Sequence, residues 1–422
     1  MEYNLKRTKN RINIVLTNAW SYYNKGDAAI VVGMIKNLDK SYPNADFSLL
    51  AFDPGSFELS KKNGEISQKV SILPEISCTE TIKRLLSIDQ AGIITLFILL
   101  LLPIIVNVFQ IFDSSLKNSI RSLKRADMII SCGGNQLHSN LGFSFLRNLF
   151  PLIWGKFICK KPVMIFSQSI GPINGYLNRQ ILKFLLERVD YITLRENYSE
   201  RYLRDILRLQ NQNIRVTADA TFMLDLNPQK LQFKKRTQKI GITVRQWFFF
   251  QSNYYNHYIK VVANFIDYLN EVYDIDVILF SFSSVSGLED DFTACKDVYN
   301  LVQDKKRLKL IQLGNLPLKE TTLELLKTDF LIGTRMHSVI FASILGIPSV
   351  AISYHQHKSK GISEMLALIK PLDINNLTLD QMKDVYEKLL ISSRTELQSH
   401  VQELRTRLRV NMSIMNSFIG EE

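Results

Sequence analysis

The stretch FLIGTRMHSVIFASILGIPSV (330–350) sets an arginine and a histidine two residues apart, Arg335 and His337, where an apolar run gives way to helical spacing. Thr334 is suited to cap that helix and Gly346 to end it, and Pro348 precedes the next apolar run. Arg335 and His337 then fall in the first helical turn, where free N–H groups and the helix dipole favour an anion. Arginine is disfavoured at that end, so Arg335 needs a negative partner: a ligand carboxylate or phosphate, or an acid of the chain. Beyond the next apolar run, YHQHKSKG (354–361) brings His355, His357, Lys358 and Lys360 to a strand end. No acid or cysteine stands beside these histidines, and a metal site usually takes three protein ligands. Binding of an anion is therefore the expected chemistry, and no metal is expected.

The amino half offers further groups at the ends of apolar runs. Asn24-Lys25-Gly26-Asp27 opens a helix, with Gly26 allowing a backbone to approach a ligand closely. Gly133-Gly134-Asn135, followed by His138, does the same after DMIISC (127–132). SQSIGP (167–172) supplies Gln168 among small polar residues, and Arg195 directly follows YITL (191–194). Asp219, in TADATFMLD, can orient a ligand hydroxyl or cap a turn. Taken singly, each is also what a tight turn or a solvated loop uses.

The elements that must hold these groups alternate. Strands are expected at 12–17, 47–52, 127–132, 162–166 and 191–194, with helices at 28–40, 177–187 and 199–208. After a polar, basic stretch with Pro228, the alternation restarts. Strands are expected at 240–244, 277–281, 308–313, 330–333 and 349–352, and helices at 257–273 and 335–345. This predicts two doubly wound α/β halves facing a central cleft, with ligands at the carboxyl ends of the strands. The expected domains are 1–225, a linker at 226–239, 240–376, and a basic helical segment at 377–422.

Composition narrows the function. The chain has 422 residues, 46% hydrophobic and 22% charged, enough for two packed domains. The net charge of +12 suits anionic small molecules or an anionic membrane surface. No basic run interleaved with aromatics appears, so nucleic acid is not an expected partner. Four scattered cysteines, Cys78, Cys132, Cys159 and Cys295, suggest neither a disulfide framework nor zinc, which points to a reducing compartment. Residues 1–11 lack the apolar run of a signal peptide, so a cytoplasmic protein is expected.

GIITLFILLLLPIIVNVFQIF (92–112) is uncharged, long enough to cross a bilayer, and flanked by Lys83, Arg84, Lys117, Arg121, Lys124 and Arg125. A true span would separate strands that must share one sheet, and Pro103 interrupts it. A helix dipping into the cytoplasmic face of the inner membrane, or one covering the sheet, is expected instead.

Six motifs in this order resemble the polysaccharide pyruvyl transferase family over about 18–368. They are NKGDAAI (24–30), SCGGNQLHS (131–139), SQSIGPI (167–173), LREN (194–197), ADATFMLD (218–225) and GTRMHSVIFASILGIPSV (333–350). YHQHKSKGI (354–362) is similar to the branch found with colanic-acid-type exopolysaccharide clusters. The resemblance implies a GT-B-like pair of Rossmann domains, no metal requirement and no cofactor, with phosphoenolpyruvate as donor and a saccharide, free or lipid-linked, as acceptor. It implies that Arg195, Arg335 and His337 bind donor or catalyse, that the Met336 backbone holds the donor, and that the amino half is the acceptor side. The sequence departs from the family at 133–135, where a third glycine is frequent, and after Tyr354, where other branches carry an acid.

The residues suit that donor. Its carboxylate and phosphate match two arginines and a helix N-terminus, with His357 and Lys358 as further cations. Forming a ketal needs a proton delivered to carbon and removed from two hydroxyls, work suited to histidine, so His337 is the expected acid/base. Two alternatives remain. A GT-B glycosyltransferase would use a nucleotide sugar, though 338–345 lacks the acid that often holds the ribose. A non-catalytic scaffold of a polysaccharide assembly complex would have no need of strand-end cations.

Overall fold

The computed structural model describes residues 11–78, 114–138, 144–226, 238–246, 252–273, 275–287, 290–354, 356–366 and 368–419; at 144, 252 and 356–359 the description extends to the backbone. The chain forms two compact units. One holds Met1–Ser21, Ile30–Met223 and Arg407–Glu422, the other Tyr22–Ala29 and Leu224–Thr406.

In the first unit the strands are β1 (Ile12–Ala19), β2 (Ala45–Ala51), β3 (Ser71–Pro74), β4 (Met128–Ser131), β5 (Gly134–Leu137), β6 (Val163–Ile170), β7 (Tyr191–Leu194) and β8 (Ile214–Val216). They form one parallel sheet in the order β3-β2-β1-β4-β6-β7-β8, with β5 added beside β6. A parallel sheet is covered on both faces, which is why β4 (MIIS) and β6 (VMIFSQSI) are buried along their whole length. The helices are α1 (Lys25–Ser41), α2 (Pro54–Lys62), α3 (Ser114–Arg125), α4 (Ser144–Ile153), α5 (Tyr176–Leu186) and α6 (Asn197–Arg201). Helix α3 buries Leu116, Ile120 and Leu123 at helical spacing and leaves its lysines and arginines outside. Each buried aliphatic side chain contributes about 1.5–3 kcal/mol.

In the second unit β9 (Lys239–Thr243), β10 (Asp276–Ser281), β11 (Leu308–Gln312), β12 (Phe330–Gly333), β13 (Ser349–Ser353) and β14 (Leu372–Asp373) run parallel in the order β11-β10-β9-β12-β13-β14. Its helices are α7 (Ser252–Tyr273), α8 (Asp291–Leu301), α9 (Leu318–Leu325), α10 (Met336–Ile344), α11 (Gln356–Met365) and α12 (Leu379–Leu390), and α13 (Arg394–Ile419) belongs to it up to Thr406 and to the first unit from Arg407. The strand order reverses direction between β1 and β4 in one sheet and between β9 and β12 in the other. These are the switch points where doubly wound sheets bind ligands.

The elements expected from the sequence recur with shifted ends. The first helix begins at Lys25 rather than 28, and β6 continues to Ile170, past the expected end at 166. The helix expected at 199–208 is the short α6 followed by a wider π-helical turn, Tyr202–Ile206. The stretch 354–361 is not simply a strand-end loop, because α11 begins at Gln356. The expected linker lies largely outside the described residues, at 227–237. So does the apolar segment 92–112; among the described residues no helix is long and apolar enough to cross a membrane.

Candidate functional site

At the β9/β12 switch point, β12 ends in Gly333 and the chain turns through Thr334 into α10. Arg335 (φ −82, ψ 118), not Thr334, occupies the N-cap position. The Thr334 hydroxyl is taken by Tyr258, at 2.7 Å, so it does not turn to the helix. Burial pushes the Tyr258 phenol up, which keeps it neutral. Thr243, the last residue of β9, shares a 2.9 Å hydrogen bond with Ser338, whose Oγ donates to the Arg335 carbonyl at 2.6 Å. These bonds pin the turn from below.

The Arg335 side chain is buried and meets Asp291, the first residue of α8. Its Nη2 donates to Oδ1 at 2.8 Å and its Nε to Oδ2 at 3.0 Å. Asp291 also accepts from Ser283 N–H at 3.0 Å. The negative partner required on dipole grounds is thus supplied by the chain, and it fixes the plane of the guanidinium.

His337 lies one turn into the same corner, half-buried against Gly26. A Cβ placed on Gly26 would overlap the imidazole and stand 2.8 Å from the His337 Cβ. Only glycine lets the α1 backbone approach the ring. The segment 22–29, which belongs to the second unit, is held within it by its backbone. Lys25 N–H donates to the Phe282 carbonyl at 3.2 Å, Ser284 N–H to Tyr23 at 3.1 Å, and Asn24 bridges to Ser283. Asn24 Oδ1 accepts from Gly26 N–H at 3.1 Å, starting the helix, and Asp27 lies in its first turn. Lys25 is fully buried, its Nζ donating to the Leu316 carbonyl at 2.8 Å and lying 3.9 Å from the centre of the Tyr22 ring.

Sequence reasoning passed over Asp291 and Arg245, and gave Lys25 no role beyond its place in the Asn24–Asp27 loop. Arg245 follows β9, donates to the Tyr354 hydroxyl at 2.6 Å and packs 4.5 Å over its ring. The rule that singled out Arg195, an arginine directly after a strand, also singles out Arg245. His355 and the side chains of His357 and Lys358 lie outside the described residues.

The first unit gathers its own cluster at the carboxyl ends of its strands. Arg195 is buried, its Nη1 donating to Asp219 at 2.7 Å and its Nε to Ser169 at 2.6 Å. Ser169 in turn donates to Glu196 at 2.8 Å. Asp219 also caps a turn through Thr221 N–H at 2.9 Å. Gln168 turns its amide to the Cys132 carbonyl at 2.7 Å and accepts from Gln136 N–H at 2.9 Å. Gly133 lies against the Phe166 and Ser167 carbonyls, Gly134 has φ +132, and His138 is buried just beyond β5.

Beside them Glu75 is wholly buried, accepting from Thr17 Oγ at 2.6 Å, Asn18 N–H at 3.1 Å and Ile76 N–H at 3.1 Å. Burial raises its carboxyl above the ordinary range, against the opposing pull of these bonds. Asn18 Oδ1 and Asn135 Oδ1 are buried without a hydrogen-bond partner among the described residues. This strand end therefore keeps polar capacity to spare. No group of three His, Cys, Asp or Glu side chains that could hold a metal occurs among the described residues.

Comparison with known proteins places this geometry. The family model described as polysaccharide pyruvyl transferase matches residues 24–356. The amylovoran biosynthesis protein AmsJ of Erwinia amylovora is 26% identical over 85% of this chain and 86% of its own. Among solved structures, a glycosyltransferase from Rickettsia africae superposes with a TM-score of 0.59 at 10% identity, covering 98% of this chain and 100% of that one. The UDP-GlcNAc 2-epimerase of Neisseria meningitidis, bound to UDP-GlcNAc, gives 0.54 at 13% identity, covering 94% and 99%. At such identities the likeness is one of fold, and the fold is GT-B-like.

Proposed function

Because the chain belongs to the polysaccharide pyruvyl transferase family, we propose that it transfers the pyruvyl group of phosphoenolpyruvate to a sugar of an exopolysaccharide or its lipid-linked precursor, forming a pyruvate ketal. The observation that carries the reading is the β12–α10 corner. There His337 stands beside an oriented arginine at the switch point of a sheet, within the matched span.

In this reading the donor anion binds Arg335 and the N–H of Met336, helped by His357 and Lys358, while Asp291 holds Arg335 in plane. The resemblance adds Arg195 as a second donor arginine. Asn24, Gly26, Asp27, Gly133, Gly134, Asn135, His138, Gln168 and Asp219 belong to loops that shape the acceptor side. His337 delivers a proton to the methylene carbon of phosphoenolpyruvate, which becomes the ketal methyl. One sugar hydroxyl adds to C2 and loses its proton; the C2–O bond to phosphate breaks; the second hydroxyl closes the ring and loses its own. Inorganic phosphate leaves with one of these protons and the other restores His337. Preorganised cations matter most as charge gathers on the departing phosphate.

The similarity of YHQHKSKGI to the colanic-acid-type branch and the relative's role in amylovoran biosynthesis support a biosynthetic setting with a saccharide acceptor. The same reading puts the enzyme on the cytoplasmic side of the inner membrane, in contact through 92–112. The test is a thermal-shift titration with phosphoenolpyruvate against a panel of nucleotide sugars. Stabilisation by phosphoenolpyruvate, lost in Arg335→Ala, is the expected result. Stabilisation by a nucleotide sugar alone would make the protein a glycosyltransferase instead. Wild-type turnover in His337→Ala would remove the acid/base role.

A further inference from the structure

Away from these strand ends, α5 has an outer face unlike the rest of the first unit. Its inner face is spent on Leu182, Leu185 and Leu186, all fully buried. Its outer face exposes Tyr176 (75%), Leu177 (58%) and Phe184 (52%), joined by Ile206 (58%) from the neighbouring turn. Exposed apolar residues scattered singly need no explanation, but these share one surface. A groove of about 280 Å³ runs between Tyr176, Arg179, Lys183, Ile206 and Arg208. Lys183 Nζ donates to the Arg208 carbonyl at 3.0 Å, Arg188 lies 3.9 Å over the Phe184 ring, and Phe157 stacks on Phe184 at 5.3 Å.

Cations outnumber acids on this face. Arg179, Lys183, Arg188 and Arg208 form no ion pair among the described residues. The neighbouring acids along the chain are Glu187, which accepts from Gln210 N–H, and Asp205. Long cationic side chains interleaved with aromatic and aliphatic groups suit the boundary of an anionic bilayer. There the stems and rings sink among acyl chains while the heads meet phosphates.

We propose that this face of the first unit, α5 with Ile206 and Arg208, docks on an anionic lipid leaflet. The surface shares no residue with the reaction assigned above. The experiment is co-sedimentation of the full chain with phosphatidylcholine vesicles, with and without phosphatidylglycerol. The wild-type chain should bind the anionic vesicles and release them in salt. Arg179→Glu with Lys183→Glu should weaken that binding about 20-fold or more, at about fivefold for each cation lost. Leu177→Ser with Ile206→Ser should weaken it as well, and both pairs should keep a melting temperature close to that of the wild type, since Leu177 and Ile206 are more than half exposed and the half-buried Arg179 and Lys183 make no ion pair among the described residues. Binding that either pair leaves intact, or a wild-type chain that ignores anionic vesicles, would overturn the proposal. So would variants whose sole effect is loss of self-association, which would make a second copy the occupant.

Discussion

Gly26→Ala is the sharpest test of how the candidate site is built. The position lies in the first turn of α1, and on helix propensity alone alanine would stabilise it by up to about 1 kcal/mol. The added Cβ, however, falls on the His337 ring, reaching Nδ1 and Cγ as well as the Cβ at 2.8 Å. The imidazole must swing away or α1 must lift. Relief of such overpacking costs about 1–3 kcal/mol, so the net change is a loss of about 0–2 kcal/mol. For a unit of this size that is a fall of about 2–4 °C in Tm for each kcal/mol.

The kinetic effect should be far larger than the thermal one. Misplacing a reacting group by about 1 Å costs on the order of a hundredfold in rate. Phosphate release from phosphoenolpyruvate, measured at saturating donor and acceptor, should therefore fall about a hundredfold in Gly26→Ala while the fold persists. The control is the same substitution in a His337→Ala background. There the overlap with the ring is gone and only the 2.8 Å approach to the Cβ remains, so alanine at 26 should cost clearly less than in the wild-type background. A double-mutant cycle in urea should then show a coupling of about 1–3 kcal/mol. A Gly26→Ala enzyme that turns over at the wild-type rate, with no coupling in the cycle, would refute both the contact and the role assigned to the histidine.

Three other outcomes follow from the same geometry. Asp291→Ala leaves the buried Arg335 guanidinium without its carboxylate and should cost about 3–5 kcal/mol in equilibrium unfolding; a loss under about 1 kcal/mol would mean the pair is not desolvated. Arg335→Lys keeps the charge but cannot present both Nε and Nη2 to Asp291, so KM for phosphoenolpyruvate should rise about tenfold with a smaller change in kcat, and unchanged kinetics would remove Arg335 from the donor site. Burial raises the Glu75 carboxyl, so its favourable contribution is full below the ordinary carboxylate range and is lost as pH climbs through the raised value. Glu75→Gln should accordingly gain on wild type in unfolding free energy as pH rises above the ordinary carboxylate range, and a difference that stays flat over that rise would contradict the shift.

Much of the fold could be read because buried parallel strands write themselves as apolar runs. YITL and FLIG match β7 and β12 residue for residue. Ends were less legible where a side chain had two possible partners. Thr334 reads as a helix cap until Tyr258, far away in sequence, takes its hydroxyl. The partners of the two arginines were the least visible. Asp291 ends an acidic run at a helix start, Glu289-Asp290-Asp291, where Asp290 caps α8 through Phe292 N–H and Asp291 turns to Arg335. Nothing in such a run says which acid faces inward. Glu75 was missed for a similar reason, since a glutamate after a short strand is ordinarily solvated and only the topology buries it.

The Asn24–Asp27 loop shows what chain order conceals. It follows β1, so periodicity alone files it with the strand ends of the first sheet. Its hydrogen bonds go elsewhere: to Phe282 and Ser283 at the end of β10, to Leu316 before α9, and, through the bare Cα of Gly26, to the face of His337. A fully buried lysine is costly unless its ammonium is well served, and Lys25 is served by a carbonyl and an aromatic ring. That cost is tolerated because the loop makes one wall of the corner in which Arg335 and His337 sit. The motif NKGD is therefore better understood as part of the histidine's environment than as a glycine loop in its own right. Each of its four residues has a task in that corner: Asn24 starts the helix, Lys25 anchors it, Gly26 admits the imidazole, and Asp27 places a negative charge in the helix's first turn.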